Sequence, residues 1–501
     1  MSATQNIVAK LWKLCDVLRD DGVTYSEYVT ELTYLLFLKM MEETGQEHRL
    51  PPEYRWADLA NREGLEQLTH YKQLLTSLGN PLEKDQHGEP KPPKDPLVLA
   101  IFTDAQTRLR KPANLKSLTT SIDGLDWFDA REEGLGDLYE GLLQKNAEDK
   151  KSGAGQYFTP RPLIDCIVRL AKPQLGERIQ DPAAGTGGFV VAAHRKIFEE
   201  NNEFFGLDDG VATRQIRDCY TLAELVPDTH RLCLMNLMLH GIEGDAKSLD
   251  TMTGEGASLP KADLVLSNPP FGTKKGGGRP QREDFSTTAG TSNKQLAFVE
   301  HIIRALKRGG RAAVVVPDNV LFEDGTGKAL RRMLMDWCDL HTILRLPTGI
   351  FYAQGVKTNI IFFTRRADGE QKGGTEATWV YDMRAGAPSY GKTRPLRAED
   401  FAAFEAAFGD DPRGQAERQD EGEEGRFRRF TREDIAARGD SLDISWLRDG
   451  EEEAEDGLID PDDITAAILG HLREATREIE ALVEELEGGE EDEAPVAVAA
   501  E

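Results

Sequence analysis

The stretch Ser267-Asn268-Pro269-Pro270-Phe271 combines side chains that can hold a planar base by an amino group. The two prolines fix two φ angles and remove two backbone N–H groups, so the corner offers rigid carbonyl acceptors without competing donors. Asn268 adds a side-chain oxygen acceptor, and Phe271 adds a flat apolar face. An amino group would donate to Asn268 Oδ1 and the Pro269 carbonyl while its ring stacks on Phe271.

This set of acceptors favours methyl transfer to an exocyclic amine. The lone pair of such a nitrogen is delocalised into the ring, and two acceptors aimed at its hydrogens stabilise the positive charge that develops during transfer. The base must leave its stack to arrive there, and stacking on an aromatic ring offsets part of that cost. An ordinary turn is the alternative, because Asn-Pro and Pro-Pro are both turn signals.

A strand end, a tight glycine turn and a helix are predicted along Ile179–Phe189, with Asp181, Gly185, Thr186 and Gly187 in the turn. Glycines let the backbone come close to a ligand. A carboxylate before the turn suits a positively charged ligand rather than a pyrophosphate. S-adenosylmethionine carries an ammonium and a sulfonium, so we expect this turn to bind it.

A glycine-rich loop precedes this turn and leads to Thr159 and Pro160. Thr159 is predicted to be the N-cap of a helix and Pro160 to occupy its first turn. The free N–H groups at such a helix start can hold a carboxylate. A simple capped helix is the alternative.

Three further acidic positions are candidates for cofactor contacts. Glu224 ends an apolar strand and is placed to bind ribose hydroxyls, with Asp208 and Asp209 as rivals in a loop-like segment. Asp245 is predicted to end a short segment and to contact the adenine ring of the cofactor. A turn aspartate is the alternative for Asp245.

Strands alternate with helices from about 175 to 365, and strands near 309–317, 341–347 and 358–364 are among them, which predicts a doubly wound α/β domain. Its ligands should lie at the carboxyl ends of the strands, where we expect Asp181, Glu224, Asp245 and Asn268. The predicted organisation is a helical N-terminal domain at 1–150, an α/β methyltransferase domain at 151–370, a C-terminal extension at 371–455, a helix at 456–488 and a disordered acidic tail at 489–501.

The segment after Phe271 is basic and glycine-rich, and its candidates for phosphate contact are Lys274, Lys275, Arg279 and Arg282. A solvated loop is the alternative. The chain as a whole has a net charge of -27, so a partner is expected to supply much of any DNA contact. Acidity that only aids solubility is the competing explanation.

Composition describes a soluble globular protein, with 501 residues, 39% apolar and 30% charged. Neither a signal peptide nor a membrane span is predicted. The five cysteines are scattered without a Cys-x-x-Cys pair, which indicates reduced thiols in a cytoplasmic protein and no metal site. Apolar residues recur at heptad-like spacing between Ile464 and Leu486, which favours pairing with a partner's helix over folding back on its own domain.

Jointly these motifs resemble the modification (M) subunit of type I restriction–modification systems, an adenine-N6 DNA methyltransferase. The resemblance covers roughly 1–365 well and the C-terminal part loosely. The matching motifs are Gly155–Leu163, Asp181–Phe189, Ser267–Gly272, Thr291–Leu296, Gly310–Phe322 and Leu346–Asn359.

The resemblance implies a Rossmann-like S-adenosylmethionine-dependent fold and assigns roles to residues. Asn268 and Pro269 would orient the adenine amine, and Phe271 would stack on the base. It also implies a specificity (S) subunit that reads double-stranded DNA, a second copy of this M subunit and, in some complexes, a restriction (R) subunit. The residues implied to bind the cofactor are Gln156, Tyr157, Phe158, Thr159, Pro160, Arg161, Gly185, Thr186, Gly187 and Glu224.

Two other classes compete with this interpretation. Enzymes that methylate glutamine amides in proteins or guanine amines in ribosomal RNA also use Asn-Pro-Pro-aromatic loops, but residues 1–150 and the Gly155–Pro160 loop argue against them. A non-enzymatic scaffold for the S subunit is the other class. The intact Asp181, glycine turn and Asn268 argue against it.

Overall fold

The computed structural model describes residues 7–14, 22, 25–80, 95–127, 135–149, 159–271, 278–351, 357–388, 390–391, 394–447 and 476. They belong to two compact units, Met1–Thr251 with Ser258–Ser267, and Met252–Ala257 with Asn268–Glu501. The predicted domain boundaries do not coincide with these units and stay a prediction. The predicted partner-pairing helix at 456–488 and the acidic tail at 489–501 lie outside the described residues, apart from position 476.

The first unit opens with helices, as predicted. Residues 32–41 are buried on every side of the first long helix, because apolar residues occupy nearly all its faces. Asp95 caps a later helix, its side chain accepting from the N–H groups of Leu97 and Val98. These helices are α1 (Tyr25–Glu43), α2 (Trp56–Ala60), α3 (Gly64–Leu78), α4 (Pro96–Phe102), α5 (Pro112–Asp123) and α6 (Leu135–Asp149).

The α/β part of the first unit shares its core with these helices. Its elements are α7 (Arg161–Ala171), β1 (Ile179–Asp181), α8 (Gly188–Glu200), α9 (Asp209–Asp218), β2 (Tyr220–Glu224), α10 (Pro227–Leu239), β3 (Asp245–Ser248) and β4 (Ala262–Ser267). Leu234 and Met235 of α10 belong to the apolar cluster of the N-terminal helices. Arg231 of α10 donates from Nε to the Ile101 carbonyl at 2.6 Å. The helical region is therefore packed directly on the helix that follows β2.

The strands of the first unit are parallel and lie in the order β3-β2-β1-β4. Asp181 pairs with Leu222, and Glu224 pairs with Ser248. The carboxyl ends of these strands therefore share one edge, which is the ligand edge of a doubly wound fold.

The strands of the second unit lie in the order β5-β7-β6-β8-β9. They are β5 (Leu306–Pro317), β6 (Cys338–Leu346), β7 (Thr358–Arg365), β8 (Ala377–Asp382) and β9 (Phe427–Thr431). β7 runs antiparallel to both β5 and β6, β8 is parallel to β6, and β9 is antiparallel to β8. The three strands predicted near 309–317, 341–347 and 358–364 are confirmed, and β8 and β9 extend the sheet into a region where the sequence signals are weak.

Helices flank these strands in the second unit. They are α11 (Gly254–Ala257), α12 (Lys294–Ala305), α13 (Asp318–Phe322), α14 (Thr326–Trp337), α15 (Ala402–Phe408) and α16 (Arg432–Ala437). Asn293 caps α12, since its side chain accepts from the Leu296 N–H. Within the described ranges, no helix is both long and apolar enough to cross a membrane.

Candidate active site

Asp181 lies at the carboxyl end of β1 and is 1% exposed. Its Oδ1 accepts from Ser267 Oγ at 2.7 Å and from the Ala183 N–H at 3.1 Å. Burial raises the pKa of Asp181 to about 7, against the lowering effect of these hydrogen bonds. A cationic ligand would favour the ionised form of this carboxylate. The contact between Asp181 and a positively charged cofactor stays a prediction from the sequence.

The glycine turn after Asp181 takes backbone conformations that side chains disfavour. Gly185 has φ +55° and Gly187 has φ +82°. A Cβ at Gly187 would also lie 3.0 Å from Cys233 Sγ of α10. Asn236 donates from Nδ2 to the Thr186 carbonyl at 2.9 Å, which fixes the turn against α10. The turn is therefore rigid and brings backbone close to any ligand at this edge.

Glu224 contacts the same turn from the end of β2. Its Oε2 accepts from the Gly185 N–H at 2.9 Å, and its Oε1 accepts from the Val226 N–H at 2.8 Å. Burial raises the pKa of Glu224 despite these donors. The rivals Asp208 and Asp209 are exposed at the start of α9, where Asp208 accepts from the Gly210 N–H. The geometry therefore favours Glu224.

The expectation that Asp245 lies at a carboxyl end is wrong. Asp245 is the first residue of β3 and pairs with Thr221, so it faces the opposite end of the strand from Glu224. Its carboxylate contacts Lys247 Nζ at 3.1 Å. β3 is short and mostly polar, so the sequence did not show in which direction the strand extends from Asp245.

Asp250 follows the carboxyl end of β3, the edge that Asp245 misses. The next residue, Thr251, donates from Oγ1 to the Pro182 carbonyl at 2.7 Å, which holds this loop against the loop that follows β1. Leu225 and Val226, both about half exposed, follow Glu224 at the same edge. Sequence reasoning missed Asp250, Leu225 and Val226 as edge residues. The end of β2 at Glu224 was predicted, but the extent of β3 beyond Asp245 was not.

The prediction of Thr159 as an N-cap is off by one residue. Helix α7 begins at Arg161, Pro160 occupies the cap position, and no side chain caps it. Thr159 and Pro160 are buried. The predicted cofactor residues Gln156, Tyr157 and Phe158 lie outside the described residues.

Arg161 makes two ion pairs, while its Nη2 is buried without a hydrogen-bond partner among the described residues, so its predicted contact with the cofactor stays a prediction. Its guanidinium donates to Glu140 and to Asp165. Glu140 lies with Asp137 and His240 in a cluster whose ligand atoms are within 4.8 Å of one another. Arginine side chains from α7 and α8 pair with its carboxylates, so the cluster is charge-compensated without a metal.

The corner that follows β4 belongs to the second unit. Asn268 is the next residue after Ser267 in the chain, and it is buried, as is Pro269. Pro270 and Phe271 are partly exposed. The ring of Phe271 meets the ring of Phe351 edge to face, with centroids 6.3 Å apart and planes at 73°. Phe351 was not predicted as a site residue, although it lies within the Leu346–Asn359 motif.

The predicted DNA contact at Arg282 is wrong. Arg282 is 5% exposed, and its guanidinium pairs with Asp284 at 2.8 Å and contacts His301 Nδ1 at 2.9 Å. It also lies over the ring of Phe285. Arg282 therefore stabilises the loop that contains it. Arg279 is exposed and stays a candidate, and Lys274 and Lys275 lie outside the described residues.

Comparisons with known proteins identify the family to which this chain is similar. Residues 130–456 match the family described as N-6 DNA Methylase, and residues 7–122 match the HsdM N-terminal domain. The methylase subunit of the type I restriction enzyme StySPI from Salmonella potsdam is 46% identical over 98% of this chain and 97% of its own length. The crystal structure of the EcoKI M protein aligns with a TM-score of 0.56 at 44% identity, covering 96% of each chain. A structure from work on complex assembly and conformational transition of the type I R-M system aligns with a TM-score of 0.68 at 27% identity, covering 97% of this chain and 99% of that one.

Proposed function

The chain belongs to the N-6 DNA methylase family and, within it, to the type I restriction enzyme methylase subunits, and on this premise we propose the role of each site residue. It is an adenine-specific DNA methyltransferase that uses S-adenosylmethionine, a Rossmann-like α/β protein with a helical N-terminal domain. A separate specificity subunit supplies the recognition sequence, and the complex contains a second methylase subunit and double-stranded DNA.

S-adenosylmethionine supplies an activated methyl group on a sulfonium when it is bound. The side chains at the ligand edge of the first unit fit its chemistry. Glu224 offers carboxylate oxygens to ribose hydroxyls, and Asp181 offers a negative charge to the cationic end. The bare backbone at Gly185 and Gly187 leaves room for the cofactor. Asp250, Leu225 and Val226 complete this set, with the two apolar side chains placed to cover the adenine ring.

The corner Asn268–Phe271 holds the target amine. Asn268 Oδ1 and the Pro269 carbonyl accept from the two N–H bonds of adenine N6, and Pro270 keeps the corner rigid. The edge-to-face pair of Phe271 and Phe351 supports this role, because the partly exposed Phe271 ring can stack on a flipped base while Phe351 fixes its orientation. That aromatic pair is the observation that carries the proposal.

Partners and location complete the proposal. A restriction subunit joins the complex where one is present, and Arg279 contacts DNA phosphate. The cytoplasm is the proposed location, since Cys166, Cys219, Cys233 and Cys338 are free, buried thiols.

Substitution of the amide tests the role of the corner. In the complex with its specificity subunit, we expect Asn268→Ala to lower kcat on target DNA by about 100-fold or more, since it removes one preorganised hydrogen bond to developing charge. Affinity for S-adenosylmethionine should stay within about two-fold of wild type. Asn268→Asp, which retains the acceptor oxygen, should keep more activity than Asn268→Ala.

Two outcomes would contradict the proposal. Wild-type turnover by Asn268→Ala would reject the role of the amide. Labelling of ribosomal RNA or of a release factor, with none of DNA, in a methyl-transfer assay on all three substrates would favour the rival enzymes. Methyl transfer by the wild-type complex would also exclude a scaffold that only holds the specificity subunit.

A further inference from the structure

Phe322 is a large apolar side chain that the second unit leaves 47% exposed. It is the last residue of α13, directly after Val320 and Leu321, which are 3% and 1% exposed. A single exposed aromatic is common on protein surfaces. Phe322 differs from such residues because its backbone is held by buried hydrogen bonds and because it lies at the sheet edge near the base pocket.

The backbone on both sides of Phe322 is clamped. Arg331, which is 2% exposed, donates from Nη1 to the Val320 carbonyl at 3.1 Å and to the Glu323 carbonyl at 2.8 Å. The Leu442 N–H donates to the Leu321 carbonyl at 2.8 Å. The exposed ring therefore projects from a fixed backbone, and its contact with a partner costs little ordering of the chain.

The register of the strands places Phe322 at the edge that holds the base pocket. Pro317 at the end of β5 and Leu346 at the end of β6 both pair with Thr358, so the two carboxyl ends share one edge. Phe322 follows the first of these ends by five residues. Phe351, which contacts Phe271, follows the second by five residues.

The two residues that follow Phe322 in the chain are acidic and therefore unsuited to phosphate. Asp324 is exposed, and Glu323 Oε2 is shared by the amides of Asn293 at 2.8 Å and Asn319 at 3.0 Å. Carboxylates repel the DNA backbone, whereas an aromatic face attracts bases whatever their sequence. The chemistry therefore selects exposed bases over the sugar-phosphate chain.

We propose that Phe322 contacts the DNA base stack beside the extruded adenine and stabilises the flipped state of the duplex. Extrusion leaves unstacked bases, and an apolar side chain that covers them lowers the cost of the opening. This inference rests on the proposed function, since it needs a flipped base at the Phe271 corner.

The test uses the full complex with its specificity subunit and a duplex that carries 2-aminopurine at the target adenine. We expect Phe322→Ala to reduce the fluorescence increase on binding, with an effect of roughly ten-fold on the flipping equilibrium, and to raise the KM for the matching duplex that carries adenine at the target. Phe322→Trp should restore both. S-adenosylmethionine affinity, thermal stability and association with the specificity subunit should not change.

The salt dependence of DNA binding distinguishes a phosphate contact from a base contact, because only loss of a phosphate contact changes it. The slope of log binding constant against log salt should be the same for Phe322→Ala and wild type. Phe205→Ala removes another exposed aromatic, 84% exposed in the first unit, and should leave flipping unchanged.

Three results would overturn the proposal: wild-type flipping by Phe322→Ala, a lower salt slope, or loss of the specificity subunit from the variant complex. Its failure differs from failure of the proposed function. An inactive Asn268→Ala beside a wild-type Phe322→Ala rejects only the inference, whereas an active Asn268→Ala rejects the assignment of the corner itself.

Discussion

Asp181 in the first unit and Glu300 in the second are both buried carboxylates, 1% and 0% exposed, but their surroundings differ. Asp181 Oδ1 accepts from two neutral donors. Glu300 accepts from the N–H groups of Ser286 and Thr288 and from the Thr288 hydroxyl, and it pairs with Arg304 at 2.7 Å. Asp181 has few hydrogen-bond donors to offset the cost of its burial, whereas Glu300 has many.

The pKa of each carboxylate follows from this difference. Burial raises the pKa of Asp181 to about 7, and its two donors do not offset that effect. Burial acts in the same direction on Glu300, but hydrogen bonds from Ser286, Thr288 and Arg304 outweigh it, so the pKa of Glu300 lies below its ordinary value. The comparison teaches that burial alone does not mark a binding carboxylate. We propose that Asp181 binds a ligand because it lies at the ligand edge with few donors of its own, where a cationic or hydrogen-bonding ligand can supply what the protein withholds.

Glu300→Gln should give the largest effect, on stability. The substitution leaves Arg304 without its charge partner in a buried network, which costs about 3 kcal/mol of unfolding free energy. Thermal and denaturant unfolding would measure the loss. S-adenosylmethionine affinity of the folded protein should stay within about two-fold of wild type. Wild-type stability in this variant would break the comparison.

Glu224→Gln should give the next largest effect, on affinity. Loss of the charged acceptor for ribose hydroxyls weakens S-adenosylmethionine binding by about 30-fold, as isothermal titration would show. Unfolding free energy should fall by only about 1 kcal/mol, because one of the two backbone N–H groups loses its acceptor but no cationic partner is stranded. Asp209→Asn, at the exposed rival position, is the matched control and should bind normally. Equal losses in both variants would remove the special status of Glu224.

The smallest effect should come from the protonation of Asp181. Because its folded pKa of about 7 lies above the ordinary 3.8, its contribution to stability is fully present below pH 3.8 and is lost as pH rises through 7. A cationic ligand needs the ionised form, so S-adenosylmethionine affinity should rise roughly ten-fold from pH 6 to 7.5. Asp181→Asn should abolish both trends.

The contribution of Glu300 to stability should change with pH in the opposite direction. Its folded pKa is depressed, so its stabilising contribution is present above the unfolded pKa and is lost as pH falls through the folded value. Hydrogen exchange measured separately in the two units would resolve the opposite trends. Parallel trends in both units would contradict the comparison.

The sequence by itself determined the parts of the site that depend on local geometry. Prolines at 269 and 270 fix φ wherever they lie, and the glycine turn before α8 needs residues that tolerate positive φ. Strands were readable from continuous apolar runs, which is why β5, β6 and β7 were predicted. The sequence after residue 370 shows no such clear run. Its strands β8 and β9 were identified only from their pairing beside β6.

Only the tertiary structure decided which charged side chains are available to a ligand. Arg282 looked like a phosphate contact until Asp284 and His301 were seen around it, and the ring of Phe351 gained a role only when it met Phe271. The contact between Asp181 and Ser267 joins residues 86 positions apart. Partners this distant are brought together by strand order and register. Residue type and local spacing do not specify these distant partners. They indicate which contacts a side chain can make, but not which partners it already has in the fold.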